Sequence, residues 1–281
     1  PSRVVVYGDV NSTLAAAVCA SKLHIPIAHV EAGLRSFDRT MPEEINRIVT
    51  DSLSDMLLVS EPAGIENLRR EGHADGDVHL VGNIMIDTLM LQLPAARQLD
   101  VLARLDLQPG AYGVVTLHRP SNVDQIETLG PLVDVLVEIS QQLKLVFPVH
   151  PRTIGRLEAF GLRGAIQAAP GIIEQPPLGY LEFLALTSQA KVIVTDSGGL
   201  QEESTALGIP CLTMRANTER PITVEVGTST LIGHDADKLR ECLQQVVDGS
   251  YKQGRCPDLW DGKAAQRIAG VLAAGAPEKA G

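Results

Sequence analysis

Short runs of β-branched and other apolar residues recur along this chain, with stretches of helical character between them. The runs occupy residues 4–7, 25–30, 56–59, 78–81, 114–117, 146–149 and 192–195. They are apolar throughout and do not alternate with polar residues, which is typical of strands covered by helices on both faces. A repeat of strand, helix and strand predicts an α/β architecture with parallel sheets, and we expect two Rossmann-like, doubly wound domains.

The length of 281 residues and the hydrophobic content of 44% also suit two domains. Gly82 and Asn83 follow the fourth apolar run and predict a junction. We therefore expect a first domain at residues 1–81, a second at 82–256, and a C-terminal helix within 257–281 that packs back on the first domain. The run at 4–7 is of the type found at the centre of a Rossmann-like sheet, yet no strand precedes it, so the first domain is predicted to be incomplete at its N-terminus.

Charge and cysteine usage narrow the classes of function. The formal net charge is -10 and the basic residues are scattered, so nucleic acid is not an expected partner. No apolar run approaches the ~20 residues of a membrane helix, and no charged-then-apolar leader opens the chain, which favours a soluble, cytoplasmic protein without membrane contact. Widely spaced cysteines without a CxxC pair predict buried thiols in a reducing compartment. These cysteines are Cys19, Cys211, Cys242 and Cys256.

The segment after the last apolar run combines a strand end, glycines and a helix start. Ser197, Gly198 and Gly199 place bare N–H groups and a helix N-terminus at the carboxyl end of the strand, an arrangement suited to a phosphate. Glu203, about one turn later, could accept hydrogen bonds from both hydroxyls of a ribose. The alternative is a glycine-tolerant turn with acids placed favourably on the helix dipole. This motif alone does not decide between them.

Two other strand ends carry a histidine with an arginine. His118 and Arg119 follow the run at 114–117, and His150 and Arg152 follow the run at 146–149. A lone histidine is commonly a satisfied core residue and a lone arginine a solvated one, but repetition of the pair favours cationic donors for a pyrophosphate. A metal site is not expected, because the histidines lack ligand spacing and no cysteine accompanies them.

Carboxylates mark the first half of the chain. Asp9 and Glu31 each follow or end a predicted strand, and Glu43 and Glu44 begin a helix after Pro42. Two acids in a first helical turn are also ordinary dipole partners. Because the carboxyl ends of parallel strands share one edge of a sheet, three carboxylates could converge on one crevice, as acid–base chemistry requires.

Six ordered segments together make the sequence recognisable. They are GDVNSTLA (8–15), HVEAGLRSFDRTMPEEINR (29–47), TLHRPSNVD (116–124), FPVHPRT (147–153), TDSGGLQEES (195–204) and NTERPITVEVGT (217–228). From about residue 4 to 233 the chain resembles the non-hydrolysing UDP-N-acetylglucosamine 2-epimerases. The resemblance implies a glycosyltransferase-B-like fold with the active site in the interdomain cleft. It also implies a homodimer that interconverts UDP-N-acetylglucosamine and UDP-N-acetylmannosamine for cell-envelope polysaccharide synthesis, with no cofactor and no metal.

The resemblance also implies roles for individual residues. The catalytic set would be Asp9, Glu31, Glu43 and His118. The UDP-sugar set would be Ser197, Gly198, Gly199 and Glu203, with looser assignments for Arg119, His150, Arg215 and Arg220. The chain lacks the GTRPE-type turn that usually opens the family, and it has Pro120-Ser121-Asn122 where many members carry further Arg and Glu. The alternatives are a UDP-sugar glycosyltransferase, a hydrolysing epimerase, and a UDP-binding fragment without turnover.

Overall fold

The computed structural model describes residues 1–275, which form two compact units. The first unit comprises residues 1–89, 219–222 and 258 onwards, and the second comprises residues 90–218 and 223–257. The boundary after residue 89 falls inside a helix, eight residues beyond the predicted junction at 81. The predicted domain ranges of 1–81, 82–256 and 257–281 stay a prediction, and residues 276–281 of the last range lie outside the described residues.

The chain alternates strands and helices along most of its length. The elements up to residue 96 are β1 (Val4–Tyr7), α1 (Asn11–Lys22), β2 (Ile27–Ala32), α2 (Pro42–Leu53), β3 (Met56–Val59), α3 (Pro62–Arg70), β4 (Val78–Leu80) and α4 (Ile84–Ala96). Those that follow are α5 (Val101–Arg104), β5 (Tyr112–Thr116), α6 (Pro120–Val123), α7 (Ile126–Ile139), β6 (Lys144–Pro148), α8 (Pro151–Ala159), α9 (Arg163–Ala168), β7 (Ile172–Gln175), α10 (Tyr180–Thr187), β8 (Val192–Thr195), α11 (Gly198–Leu207), β9 (Cys211–Thr213), α12 (Ile222–Glu225), β10 (Ser229–Leu231), α13 (Ala236–Asp248) and α14 (Ala264–Ala274).

The first unit contains a parallel sheet with strand order β1-β2-β3-β4. Its interior is built from small and branched apolar side chains: Val30 of β2 and Leu58 of β3 are buried, and Ile268 of α14 belongs to the same cluster. Trp260 is 1% exposed, and its indole Nε1 donates to the carbonyl of Ser60 over 3.2 Å. These contacts attach the segment before and within α14 to the first sheet.

The second unit contains a parallel six-stranded sheet with the order β10-β9-β8-β5-β6-β7. Counted from β5, the chain winds outward through β6 and β7, then returns to β8 on the other side and winds outward through β9 and β10. This is the Rossmann order, and its switch point lies between β5 and β8. Thr116 and Thr195 are register partners at the carboxyl ends of these two strands, and their hydroxyl oxygens are 2.7 Å apart. The topology therefore opens a ligand crevice where β5 and β8 end.

Apolar burial holds the second sheet between its helices. Val115 of β5, Val194 of β8, Leu136 of α7 and Leu243 of α13 belong to one cluster, and each is at most 1% exposed. Burial of each such side chain contributes roughly 1.5–3 kcal/mol. The rigid sheet fixes the positions of the loops at its carboxyl edge.

All seven predicted strands occur, with shifts of up to two residues at their ends. The sequence analysis missed β7, β9 and β10, which are short and carry polar residues such as Glu174 and Ser229. The α/β class with two parallel sheets is confirmed. Between residues 1 and 275, no helix has both the length and the apolar character needed to cross a bilayer.

The prediction of buried thiols is half right. Cys211 and Cys242 are buried, and burial raises the pKa of both thiols. Cys19 and Cys256 are exposed, so the prediction is wrong for them. A helix at the surface and a surface loop both accept a cysteine on their solvent side, which spacing alone cannot reveal.

Gly33 enables a close contact between the turn after β2 and helix α3 of the first unit. Its φ is +78°, and a Cβ atom at this position would lie 2.5 Å from the carbonyl oxygen of Gly64. Both the left-handed conformation and the backbone contact require glycine. The turn that follows β2 is thereby packed directly against α3.

We predict that Gly33→Ala lowers the free energy of unfolding by about 3 kcal/mol, because it adds a backbone clash to left-handed strain. The matched control is Gly72→Ala, where φ is +91° and no atom lies within 4 Å of the added Cβ. This control should cost only about 1 kcal/mol. Urea unfolding followed by circular dichroism gives both values. Equal losses would show that the Gly64 contact is unimportant.

Candidate active site

Two carboxylates lie at neighbouring strand ends of the first unit. Asp9 follows β1 after Gly8, whose φ is +64°, and Glu31 lies at the end of β2. A Cβ atom on Gly8 would be 3.9 Å from Oε2 of Glu31, so the Glu31 carboxylate lies beside the Asp9 turn. Glu31 itself has a φ of +67°, at a register shift between Val30 and Ala32. A left-handed conformation costs a non-glycine residue roughly 1–2 kcal/mol, and such strain is concentrated at functional positions.

Helix α2 fixes the Asp9 turn with two side chains. Asn46 donates from Nδ2 to the carbonyl of Asp9 over 2.8 Å and to Oδ1 of Asn11 over 3.0 Å. Arg47 is fully buried, forms an ion pair with Oδ2 of Asp9, and lies 3.3 Å from Oε2 of Glu219. The Asp9 side chain stays 21% exposed. The guanidinium therefore orients this carboxylate while leaving part of it accessible.

The side chains of Glu43 and Glu44 have different environments in the structure. Glu44 is 2% exposed and accepts from the Ser36 amide (2.7 Å), the Ser36 hydroxyl (2.9 Å) and the Phe37 amide (3.1 Å). It is a structural residue that holds the loop before α2. Glu43 is half-buried, and its side chain forms no hydrogen bond or ion pair with any residue that the structure describes. It precedes Asn46 and Arg47 by three and four residues, so it shares the helix face that contacts Asp9.

In the second unit, a buried aspartate organises the crevice. Asp196 follows β8 and is fully buried. Its Oδ2 accepts from the His118 amide (2.9 Å), the Arg119 amide (2.8 Å) and Nδ2 of Asn122 (3.0 Å), and its Oδ1 lies 2.7 Å from Nδ1 of His118. Burial alone would raise the pKa of Asp196, but these hydrogen bonds lower it below the usual range. Asp196 is therefore an ionised anchor for the loop after β5.

The contact between Asp196 and His118 also determines the pKa and the orientation of the histidine. The hydrogen bond to Asp196 raises the pKa of His118, and burial opposes that rise. Because Nδ1 faces the carboxylate, Nδ1 carries the proton and Nε2 is left at the opposite edge of the ring. The ring of His150 lies 5.7 Å from that of His118, centroid to centroid. His118 is thus fixed in tautomer and orientation, as proton transfer requires.

These histidines line a pocket of about 250 Å³. It lies at the carboxyl ends of β5, β6 and β8, at the switch point of the second sheet. The full lining is Thr116, Leu117, His118, Pro148, His150, Pro177, Leu178, Phe183, Ser197 and Leu200. An apolar pocket with a few polar groups at this position is the expected form of a ligand site.

Helix α11 begins beside this pocket. Ser197 is its N-cap residue and makes no capping hydrogen bond with its side chain, and Gly198 and Gly199 start the helix. A Cβ atom on Gly199 would meet no atom within 4 Å, so chain packing does not require glycine there. Arg119 donates from Nε to the Asp196 carbonyl over 3.0 Å, and none of the described residues accepts from its two terminal nitrogens. Amide groups and a guanidinium are suitable partners for a phosphate group.

Glu203 lies farther along α11 and is 8% exposed. Its Oε1 accepts from the hydroxyl of Tyr180 over 3.2 Å. Burial raises the pKa of Glu203, and the charge of Glu202 adds to that rise. Burial and the Glu203 carboxylate raise the pKa of Tyr180 to about 12. Further hydroxyl donors, such as those of a ribose, would satisfy this partly desolvated carboxylate.

Arg152 is paired with an acidic side chain of its own unit. Its guanidinium contacts the Asp124 carboxylate, and the Nε–Oδ1 distance is 3.0 Å. Arg156 contacts the same carboxylate over 3.0 Å. That Arg152 supplies a cationic donor for a pyrophosphate stays a prediction. His150 caps α8, because its Nδ1 accepts from the Arg152 amide over 3.2 Å.

Two of the looser arginine assignments, Arg215 and Arg220, fall in different units. Arg215 is buried just after β9, in the second unit. Arg220 belongs to the first unit and lies 3.2 Å from Oε2 of Glu219, the carboxylate that also contacts Arg47. No group of three or more His, Cys, Asp or Glu side chains is placed to hold a metal ion among residues 1–275.

Several site residues were missed by sequence reasoning. They are Asn46, Arg47, Tyr180, Asp196 and Glu219. Two carried a signal: Arg47 lies four residues after Glu43, which places both on one helix face, and Asp196 directly precedes the Ser-Gly-Gly turn. Tyr180 and Glu219 carried none, because their partners are distant in sequence.

Two Rossmann-like sheets, one with carboxylates at its strand ends and the other with amide, imidazole and guanidinium groups, define a glycosyltransferase-B-like α/β enzyme. The family model for UDP-N-acetylglucosamine 2-epimerase matches residues 1–273. The chain belongs to this family.

Individual relatives agree. A UDP-N-acetylglucosamine 2-epimerase of Methanococcus maripaludis is 42% identical over 252 residues, covering 88% of this chain and 69% of the relative. A UDP-2,3-diacetamido-2,3-dideoxy-D-glucuronate 2-epimerase of Pseudomonas aeruginosa is 41% identical over 276 residues, covering 97% and 75%. The crystal structure of the Methanocaldococcus jannaschii UDP-GlcNAc 2-epimerase with UDP-GlcNAc and UDP superposes with a TM-score of 0.84 at 42% identity, covering 98% of this chain and 76% of that one.

We predict that Asp196→Asn lowers the pKa of His118, because the introduced amide cannot stabilise the imidazolium. In the unmodified protein, the ion pair of His118 with Asp196 makes its full contribution to stability at pH values below the ordinary histidine pKa of 6.5. That contribution is lost as the pH rises through the raised pKa of His118 in the folded protein. The amide would also favour the opposite tautomer, with the proton on Nε2. NMR titration of the histidine ring signals measures both effects.

The matched control is Asp124→Asn, which removes a carboxylate of the same unit that pairs with arginines. It should leave the titration of His118 unchanged. An unchanged His118 titration in Asp196→Asn would refute the assignment of the ion pair.

Proposed function

We propose that this chain catalyses the reversible epimerisation of UDP-N-acetylglucosamine at C2 of the sugar, giving UDP-N-acetylmannosamine, as a non-hydrolysing isomerase. The observation that carries the proposal is the pair of carboxylates at adjacent strand ends of the first unit, Asp9 and Glu31, in a member of this family. A site that only binds UDP needs phosphate and ribose partners but no such carboxylate pair.

The chemistry of C2 decides the order of steps. The C2 proton is not adjacent to a carbonyl group within the ring, so direct enolisation is not open to the substrate. Cleavage of the bond between C1 and the phosphate oxygen comes first; UDP leaves with the electron pair, and an oxocarbenium-like centre develops at C1. This charge acidifies the C2 proton, and nearby carboxylates stabilise it. A carboxylate then takes the proton, and a C1–C2 double bond forms in 2-acetamidoglucal.

The return steps invert C2. A proton is delivered to the opposite face of C2, and the UDP oxygen adds back to C1. Atoms and charge therefore balance without an external oxidant, reductant or water. The intermediate and UDP must stay bound until re-addition, because release of either ends the cycle.

The second unit would bind the UDP portion. The N-terminus of α11 at Ser197, Gly198 and Gly199 offers amide donors to the diphosphate, and Arg119 adds charge. Glu203 would accept from the ribose hydroxyls, since burial leaves its carboxylate in need of donors. His150, Arg215 and Arg220 are proposed to complete the phosphate and uridine surroundings.

Catalytic roles are proposed for three carboxylates of the first unit and for one histidine of the second. Asp9, Glu31 and Glu43 are proposed to accept or return the C2 proton and to stabilise charge at C1. His118, held by Asp196, has a raised pKa and can donate a proton or a hydrogen bond to the leaving phosphate.

Relatives of nearly equal similarity are named for different sugars, so two sugars are candidates for the substrate. The P. aeruginosa relative named for UDP-2,3-diacetamido-2,3-dideoxy-D-glucuronate is 41% identical, against 42% for the M. maripaludis relative named for UDP-N-acetylglucosamine. The two substrates share the UDP group and the C2 acetamido group. The second candidate function is therefore 2-epimerisation of that diacetamido sugar, and both sugars belong in the first assay.

We also propose a cytoplasmic homodimer whose product supplies cell-envelope polysaccharide synthesis, acting without metal or nicotinamide. The carboxylate-bearing first domain and the UDP-binding second domain would follow the ranges predicted from the sequence. A glycosyltransferase is the main enzymatic alternative, because the α11 N-terminus and Glu203 suit any UDP-sugar donor. Sugar transfer that depends on an acceptor would reveal it.

Incubation of the purified chain with UDP-N-acetylglucosamine in D₂O should abolish the C2 proton signal and produce a UDP-N-acetylmannosamine anomeric signal, because the proton is exchanged at C2. Proton NMR follows both changes. A parallel incubation with UDP-2,3-diacetamido-2,3-dideoxy-D-glucuronate tests the second substrate. Release of free sugar would favour a hydrolysing enzyme. UDP binding without any change in either sugar would contradict epimerisation and favour a UDP-binding fragment.

Asp9→Asn and Glu31→Gln should each lower turnover roughly 10²–10⁴-fold while UDP affinity stays within about twofold, because each removes a proton acceptor and no phosphate partner. Calorimetric titration with UDP and the NMR assay give the two values. The control is Asp75→Asn, a 77% exposed carboxylate of the same unit paired with Arg69. Equal loss of UDP affinity in both site variants would disprove the assignment.

A further inference from the structure

His29 and Asp51 are a fully buried ionisable pair of the first unit, and the proposed mechanism uses neither. The side chains of both residues are 0% exposed. His29 lies in the middle of β2, where its neighbours Ala28 and Val30 are apolar and buried. Asp51 lies in α2. A polar pair at such a position needs a physical reason.

Each ring nitrogen of His29 faces an oxygen. Nδ1 lies 2.6 Å from Oδ1 of Asp51, and Nε2 lies 2.8 Å from the carbonyl oxygen of Gly8. A carbonyl oxygen only accepts hydrogen bonds, so Nε2 must carry a proton. The imidazole therefore spans from α2 to the turn that follows β1.

Asp51 is held from several sides. Its Oδ2 accepts from the Gly33 amide over 3.1 Å and from Nη2 of Arg35 over 2.6 Å. Burial would raise the pKa of Asp51, but the contacts with His29 and Arg35 lower it, so the carboxylate is ionised. Nδ1 of His29 faces this carboxylate at 2.6 Å. Glu71 pairs with Arg35 through two hydrogen bonds of 2.8 and 2.6 Å, which alternates the charges across the cluster.

The cluster connects the backbones next to two proposed catalytic carboxylates. Gly8, whose carbonyl accepts from His29, directly precedes Asp9. Gly33, whose amide donates to Asp51, follows Glu31 by two residues. Glu31 lies between these attachment points in its left-handed conformation. The chain segments that carry both carboxylates are thus bound to one rigid pair of side chains.

We propose that His29, acting with Asp51, is a positioning residue for the epimerisation: it clamps the Asp9 turn and the Glu31 loop so that both carboxylates meet the same carbon of the sugar. This inference rests on the proposed function. Stability alone does not explain the pair, because replacing a buried ion pair by packed apolar residues is often neutral or stabilising. Geometry does explain it, since a displacement of about 1 Å at a reacting group can cost 10²-fold in rate.

Two substitutions separate the two hydrogen bonds. In His29→Gln the amide nitrogen takes the place of Nε2 and keeps the bond to Gly8, and in His29→Asn it takes the place of Nδ1 and keeps the bond to Asp51. We expect kcat to fall about 10-fold in His29→Gln and about 100-fold in His29→Asn, with KM and UDP affinity within about twofold. The smaller loss in His29→Gln is the rescue that identifies the Gly8 link to Asp9. The control is His24→Asn, an exposed histidine of the same unit at a left-handed position that asparagine tolerates.

The possible results distinguish a failure of the positioning role from a failure of the proposed function. Unchanged kcat in both variants, or losses of kcat that track equal losses of KM and melting temperature, would overturn the positioning role while the epimerase assignment stands. Absence of epimerisation by the unmodified chain would instead contradict the proposed function. If neither variant folds, ¹⁵N NMR of the unmodified protein decides: the clamp requires a proton on Nε2 of His29, which faces the Gly8 carbonyl, and an unprotonated Nε2 would refute it.

Discussion

The loop after β5 and the loop after β8 are joined by the carboxylate of Asp196, and the order of the crevice in the second unit depends on that junction. One oxygen accepts from two successive amides and from Asn122, and the other lies 2.7 Å from Nδ1 of the His118 ring in an ion pair. A buried carboxylate is costly unless it is fully hydrogen-bonded, and here the bonds are supplied by the loop that it must hold. The same contacts fix the tautomer of His118 and, through the Asp196 carbonyl, the direction of Arg119.

The first unit also uses buried side chains to position accessible titratable groups, but there the accessible groups are acidic and the buried ones are basic. Its strand ends carry acids, and basic side chains that are buried more deeply than the acids lie beside them: Arg47 beside Asp9, and His29 beside the backbone of Gly8. Buried basic side chains position these segments through fixed hydrogen bonds and leave the carboxylates accessible to a ligand. Both units thus place one accessible titratable group over a fully buried partner, which is how preorganised electrostatics are built.

Much of this arrangement could be predicted from the sequence, because parallel sheets concentrate function at strand ends and their strands are continuously apolar. Asp9, Glu31, His118 and Ser197 became candidates in that way. The residues that were missed act through partners brought near only by folding: Asp196 contacts residues 74 to 78 positions away, and Arg47 contacts Glu219 across 172 positions. The spacing also did not reveal the ion pair of Arg152, because its partner Asp124 lies at the end of another helix. Strands β7, β9 and β10 were missed because three or four residues with polar members give no clear periodicity.

The pairing of β5 with β8 has a consequence for how the protein acquires its activity. These strands are neighbours in the sheet, yet β6 and β7 with their helices are synthesised between them. Non-local parallel pairing forms slowly, because the entropy of closing a long loop is lost before the contacts between the strands can stabilise the chain. The ion pair between His118 and Asp196 spans 78 residues and cannot exist before this closure. A chain in which β5 and β8 have not yet paired therefore lacks this ion pair, and His118 is not yet held in the orientation that the crevice requires.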